Sequence, residues 1–224
     1  MYQALLFDLD GTLAETDSLH LPTWVDALRP HGIEIDETFY RKNISGRSAG
    51  EIVRELLPDL PKVEGREIGD AKEANFRERA GELEPLPGLL DFLEAARERG
   101  LKTALVTNAP EENVEAILLA LELGEYFDEI VLSDEVGRVK PDPAPYRAAL
   151  DRLGVSPEEA VAFEDSTSGI SSAVGAGIPT VGIASTQDPE TLRRAGAFMV
   201  AKDFTDPQLR EFTGRISYSG DHEH

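Results

Sequence analysis

The chain contains no cysteine. Disulfide bonds, thiolate nucleophiles and cysteine-ligated zinc or iron–sulfur centres are therefore excluded, and the composition suits a reducing compartment. Basic residues are scarce too: 22 lysines and arginines stand against 43 acids, for a formal net charge of -21. Nucleic acid and anionic membranes reward basic patches, so neither is an expected partner. A small anionic substrate stays open, because screening over roughly 8 Å lets a few local cations outweigh distant acids. No apolar run approaches the ~18 residues of a membrane span. The first residues lack the basic segment and apolar stretch of a secretory signal. The expectation is a cytoplasmic protein; nothing in the sequence sets its oligomeric state. Nucleotide-binding loops are missing as well. Gly175-Ala176-Gly177 lacks the remainder of GxGxxG and reads as a helix end, and no GxxxxGK[ST] occurs. There are no repeats and no low-complexity tract.

What is present is an alternation of short apolar runs with helical patterns. The runs are Ala4 to Phe7, Thr103 to Val106, Ile130 to Leu132, Ala160 to Phe163, Thr180 to Ile183 and Ala197 to Val200. Leu89, Leu90, Leu93 and Ala96 mark a helix closed by Gly100; Pro110 with Glu111 and Glu112 opens another that runs to about Glu122. Such α/β units predict a parallel sheet covered on both faces. One stretch breaks the pattern. From about Glu15 to Glu84 the sequence carries helical signals and loops but no strand, and it reads as an inserted helical domain. Ser48 to Glu51 form a capping box ahead of Ile52, Val53, Leu56 and Leu57, and Pro58 stops that helix. Glu15-Thr16-Asp17 and the segment from Leu83 to Gly88 read as two adjacent linkers, hence a hinge. The division is a core of residues 1–14 and 85–224 and a cap of residues 15–84, on 224 residues in all. From Thr213 onward the chain is polar and expected to fray; His222 and His224 in that tail lack fixed partners for a metal.

Chemistry concentrates where strands end. In Phe7-Asp8-Leu9-Asp10-Gly11-Thr12 two carboxylates follow the first apolar run, and strand alternation would turn Asp8 and Asp10 to one face. Converging acids repel unless a cation joins them; a hard divalent ion, Mg2+, suits such oxygens and attracts phosphate. Ligands of open parallel sheets bind beyond the carboxyl ends of the strands. That edge also receives Thr107-Asn108, Lys140 within Val139-Lys140-Pro141-Asp142-Pro143, and Glu164-Asp165-Ser166. Each group alone has a plainer reading as a turn, a helix cap or a loop lysine. Together they have tasks in phosphoryl transfer. Asp8 is the candidate nucleophile and Asp10 the candidate acid and base. Thr107, Asn108 and Lys140 are candidates to hold the phosphate, and Asp8, Asp10, Glu164 and Asp165 to hold Mg2+.

In order and spacing these four segments resemble the motifs of the haloacid dehalogenase-like hydrolases across essentially the whole chain. The resemblance implies a Rossmann-like parallel-sheet core, and the subgroup with a helical cap inserted after the first motif matches Glu15 to Glu84. True dehalogenases of this family lack the second acid of the first motif. Asp10 is present here, which points to phosphate chemistry. The expected activity is hydrolysis of small phosphate monoesters, sugar phosphates among them, through an aspartyl phosphate. A sugar-phosphate mutase of the β-phosphoglucomutase type is the alternative. Residues Val106 to Pro110 look closer to the broad sugar phosphatases, because that mutase carries small residues where Asn108 stands. A phospho-receiver domain is disfavoured: its phosphorylated aspartate lies on a middle strand, in a shorter chain without an insertion.

Substrate choice is expected from the cap. Arg47 resembles a cap loop that reaches the substrate in sugar-phosphate members, and its fork of donors suits a second anion or sugar hydroxyls; it also reads as a surface arginine. His20 and Lys72 match cap positions that face the cleft in β-phosphoglucomutase, while His20 equally suits the first cap helix beside Trp24, itself expected in the cap core.

Overall fold

The structure, a computed structural model, describes residues 2–214. The tail beyond them, with His222 and His224, lies outside the described residues. β1 (Ala4–Phe7) is buried at every position. Such an unbroken apolar run suits the centre of a parallel sheet, where helices cover both faces and polar alternation disappears. The chain then leaves the sheet for α1 (Asp17–Leu28), α2 (Glu37–Asn43), α3 (Ala49–Leu56) and α4 (Lys62–Arg79), and returns through α5 (Leu89–Glu98) to β2 (Lys102–Thr107). There follow α6 (Glu111–Ala120), β3 (Glu129–Leu132), α7 (Ser133–Val136), α8 (Ala144–Leu153), β4 (Ala160–Glu164), α9 (Thr167–Gly175), β5 (Thr180–Ile183), α10 (Pro189–Ala195), β6 (Met199–Ala201) and α11 (Pro207–Gly214).

The six strands pair in parallel in the order β3-β2-β1-β4-β5-β6, a Rossmann-like arrangement. β1 therefore sits at the switch point, with β2 on one side and β4 on the other. Register sets the site: Phe7 lies opposite Leu105 of β2 and Phe163 of β4, so these three strands end at one level. One sheet face packs Leu5, Phe7, Leu105 and Phe163 against α5 and α6, with Phe7 stacked on Phe163 at 4.9 Å. The other face packs Ala4, Leu6, Val106 and Ala162 against Tyr146, Leu150 and Ala173 of α8 and α9. Both sides of the central strand are dry.

Among the described residues, 15–84 contain no strand; an isolated bridge joins Ala14 to Pro85, and Leu86 N–H donates to the Leu13 carbonyl at 2.8 Å. The outgoing and returning segments thus run side by side. α1 to α4 have their own core of Trp24, Leu28, Tyr40, Ile44, Ile52 and Val53, while Leu19 and Phe76 join the core under the sheet. Ser48 and Glu51 make the reciprocal capping box at α3. Some boundaries differ from the sequence reading, most clearly those of α6 and the last strand. Pro110 precedes α6 as its cap, and α6 stops at Ala120 because Glu122 takes a positive φ of 56° and Leu123 N–H bonds back to Leu118. The last strand begins at Met199, since Ala197 N–H is taken by the end of α10 through the Leu192 carbonyl. No described helix is long and apolar enough to cross a membrane.

Candidate active site

Lys140 organises the centre. An ammonium has three hydrogens to donate, and here they go to Asp8 Oδ1 at 2.7 Å, Glu164 Oε1 at 2.6 Å and the Val106 carbonyl at 2.7 Å. Strands β1, β4 and β2 are thereby tied to one buried cation. Tyr146 donates its hydroxyl to the same Glu164 oxygen at 2.6 Å. Asp165 stands beside them, and oxygens of Asp8, Glu164 and Asp165 lie within 4.8 Å of one another. Three buried carboxylates against one ammonium leave an excess of two negative charges.

The protonation equilibria register that excess. Burial, and then the charge of Glu164, push Asp8 up to about 7, against the pull of Lys140. Asp165 is driven well above its ordinary value by burial and by the charges of Asp8 and Glu164. Burial works against the charge of Lys140, but Asp8 and Glu164 outweigh it and raise its pKa. An all-oxygen, dry, doubly overcharged cluster fits a hard divalent cation.

Asp10 takes a different place. β1 ends at Phe7 and Gly11 follows with φ of +78°, so strand alternation does not carry through to Asp10. Its carboxylate accepts from Thr16 Oγ1 at 2.7 Å and lies 3.6 Å from His20 Nε2, outside the cluster of three. Of the four acids expected around Mg2+, three share the cluster and the fourth faces the helical insertion. Burial would raise the pKa of Asp10, but His20 and Thr16, with the charge of Lys72 behind them, hold it below the usual carboxylate value. His20 stacks on Phe76 with ring centroids 4.1 Å apart, and its Nδ1 lies 2.7 Å from Lys72 Nζ. A lysine ammonium only donates, so Nδ1 accepts and the neutral ring carries its proton on Nε2, toward Asp10.

Thr107 accepts the Ala109 N–H at 2.9 Å, which leaves its hydroxyl hydrogen for an anion. Asn108 Oδ1 accepts from Ser133 Oγ at 2.6 Å and from the Lys140 N–H at 3.1 Å. A backbone donor fixes which end of the amide is oxygen, so the Nδ2 donor is left for a ligand. Arg47 is not brought to this cluster: it pairs with Glu55 at 2.5 Å and donates to the Asn43 carbonyl at 2.8 Å.

Four contributors carried no sequence signal strong enough to single out. Ser133 follows β3 as Thr107 follows the core of β2, so inspecting every strand end would have found it. Thr186, after β5, donates to Asp165 Oδ2, and Ser185 beside it donates to the Gly11 carbonyl. Tyr146 lies on α8, buried under Lys140 with its ring 5.2 Å from the ammonium. Gly11 itself is a packing requirement, because a Cβ there would fall 2.2 Å from Asp165 Oδ2.

A family model for haloacid dehalogenase-like hydrolases matches residues 2–177. The chain is 36% identical over 211 residues to a phosphorylated carbohydrates phosphatase of Thermotoga maritima, covering 89% of this chain and 94% of that one. It is 33% identical over 186 residues to the fructose-1-phosphate phosphatase YqaB of Escherichia coli, covering 81% and 96%. Among solved structures, a mutant of CbbY from Rhodobacter sphaeroides in complex with xylulose-(1,5)bisphosphate superposes with a TM-score of 0.80 at 32% identity, over 91% of this chain and 95% of that one.

Proposed function

The chain belongs to the haloacid dehalogenase-like hydrolases and is a phosphoric monoester hydrolase, and from that premise we propose that it cleaves small sugar phosphates through an aspartyl phosphate on Asp8. The observation that carries this reading is the buried convergence of Asp8, Glu164 and Asp165 at the switch point of the sheet, with Lys140 bonded to the first two. Mg2+ held by those three carboxylates would neutralise charge shared between Asp8 and the phosphate. The relatives named for phosphorylated carbohydrates and for fructose 1-phosphate support a sugar phosphate as substrate.

In the first step an Asp8 oxygen bonds to phosphorus as the bond from phosphorus to the ester oxygen breaks. The leaving oxygen keeps that electron pair and takes a proton from Asp10. Water then attacks the phosphoaspartate and gives a proton to Asp10; the bond to Asp8 breaks and inorganic phosphate leaves. Thr107 and the Asn108 amide donate to the phosphoryl oxygens and the Lys140 ammonium offsets their charge from behind Asp8, which is most of what this chemistry asks of a protein. Paired with Thr16 and His20, Asp10 is ionised and ready for the water step. A bound phosphate raises its proton affinity for the first step.

A panel of phosphate monoesters tests the reading directly. Expected are Mg2+-dependent phosphate release abolished by EDTA, and a phosphoryl group on Asp8, trapped by acid quench, located by mass spectrometry and released by hydroxylamine. Silence with every ester overturns it, and isomerisation of β-glucose 1-phosphate without cleavage moves the chain to the mutases. Asp10→Asn should slow both steps roughly 100- to 10,000-fold, the range typical of losing a positioned acid and base. A loss confined to one step, seen by single-turnover kinetics, would show that Asp10 serves only that step. Thr186→Val removes the donor to Asp165 at nearly constant shape. Mg2+ affinity measured by calorimetry should fall about tenfold, as for other outer partners of metal ligands. Unchanged affinity would mean that the hydroxyl does not orient Asp165.

A further inference from the structure

Asn113 lies on α6, beneath the helical insertion, and is 2% exposed although none of the chemistry above uses it. A buried amide needs partners for both ends, and both of its partners come from α4. Asn113 Nδ2 donates to Glu73 Oε2 at 2.7 Å, and Asn113 Oδ1 accepts from Arg77 Nη1 at 3.2 Å. Rotating the amide by half a turn would set donor against donor and acceptor against acceptor, so its orientation is fixed. Glu73 and Arg77 stand four residues apart, one helical turn, and close on the amide like a fork.

The fork does not end at Glu73. Its other oxygen, Oε1, accepts from Lys72 Nζ at 3.1 Å. Lys72 is 3% exposed and donates to His20 Nδ1 at 2.7 Å, beneath the faces of Trp24 at 5.3 Å and Phe76 at 5.4 Å. His20 Nε2 then lies 3.6 Å from Asp10. An unbroken line of polar contacts thus runs from a core helix, through the insertion, to the second acid of the first motif. Displacing α4 from α6 breaks that line at Asn113. The segments that join the insertion to the core meet at the bridge between Ala14 and Pro85 and at the bond from Leu86 to Leu13, and Leu19 and Phe76 pack the insertion onto the apolar core; to that non-directional packing the fork between α4 and α6 adds a directional polar contact.

We propose that Asn113 is a positioning residue: with Glu73 and Arg77 it clasps the helical cap to the core and sets Lys72 and His20 in register with Asp10. The proposal rests on the reading of Asp10 as acid and base. A reversal of polarity tests it. Asn113→Asp puts a carboxylate against that of Glu73 and should lower kcat for a sugar phosphate roughly ten- to a hundredfold, on the scale of couplings within one hydrogen-bond network. KM should change less, and circular dichroism should remain native. Adding Glu73→Gln restores complementarity, since the new amide donates to the new carboxylate while its oxygen still accepts from Lys72. The double variant should recover to within about threefold of the parent. Amide exchange in α4 and α6, measured in parallel, should accelerate in the single variant and return in the double. Full kcat in Asn113→Asp, or a folded double variant without recovery, overturns the clasp. Were the parent inactive on every phosphate ester, the function proposed above would fail, while the exchange data would still decide whether the clasp exists.

Discussion

Replacing Asp8 by asparagine should abolish phosphatase turnover and, in the same protein without Mg2+, raise the melting temperature. The first effect follows from the covalent step: an amide oxygen with no negative charge does not displace an alkoxide from phosphorus. The second follows from the charge count. Asp8 shares a buried cluster with Glu164 and Asp165, and among the described residues Lys140 is the cation paired with it, at Asp8 and Glu164. Burial and Glu164 raise its pKa from the ordinary 3.8 to about 7. Between those two values the folded protein binds a proton that the unfolded chain has released, so this group lowers stability as pH rises through the window, with no recovery above it. The total is on the order of a few kcal/mol, or roughly 5–10 °C for a chain of this size. Asparagine has no such titration. Calorimetric scans between pH 4.5 and 8 should therefore show parent and variant converging at the acid end and diverging toward the alkaline end, the variant more stable. Added Mg2+ should close the gap by stabilising only the parent. An active Asp8→Asn enzyme would remove Asp8 as nucleophile. A variant less stable than the parent at pH 8 would mean that its pairing with Lys140 outweighs the repulsion.

The same cluster explains what the sequence made legible. Strands buried on both faces read as unbroken apolar runs, and the limits of β1 and β5 at Ala4–Phe7 and Thr180–Ile183 coincide with the runs seen in the sequence. Because parallel strands end at a common level, residues just past those runs meet in space, as Asp8, Glu164 and Asp165 do. The spacing rule failed one residue later. Asp8 and Asp10 share a face only if the strand continues, and it stops at Phe7 before Gly11 turns the chain. Contacts across the fold left no local trace. Tyr146 and Thr186 reach the acids from a helix flank and a loop, and Asn113 reads as any polar helix residue until α4 is laid upon it. Arg47 is different again. Its resemblance to a cap loop that reaches substrate made it a candidate, and in the fold it pairs with Glu55, eight residues on, a contact that its local sequence did not announce.

Gly169→Ala should destroy Mg2+-dependent activity and cost about 3–5 kcal/mol of stability, the scale of breaking a buried ion pair. Gly169 lies in the first turn of α9, where its N–H donates to the Ser166 cap at 3.0 Å. Added there, a Cβ would stand 1.8 Å from Glu164 Oε2 and 2.0 Å from its Cδ. Glu164 has no room to yield, being fully buried and held at Oε1 by Lys140 and Tyr146. Either the carboxylate leaves those donors and the other acids, or α9 lifts from β4. The first leaves Lys140 and Tyr146 short of a partner in a dry site, where an unpaired polar group is expensive; the second opens the packing of α9 on the sheet beside Glu164 and Asp165. Gly175, at the other end of the same helix, provides the control. Its added methyl group would meet nothing closer than Pro143 Cβ at 3.5 Å, and replacing a helical glycine by alanine ordinarily gains roughly 0.4–1 kcal/mol. Denaturant melts should thus separate the pair, with Gly175→Ala at or above the parent and fully active. If Gly169→Ala matched its control in stability and Mg2+ affinity, Glu164 would have to be free to move, and the tight packing that holds the three carboxylates together would be refuted with it.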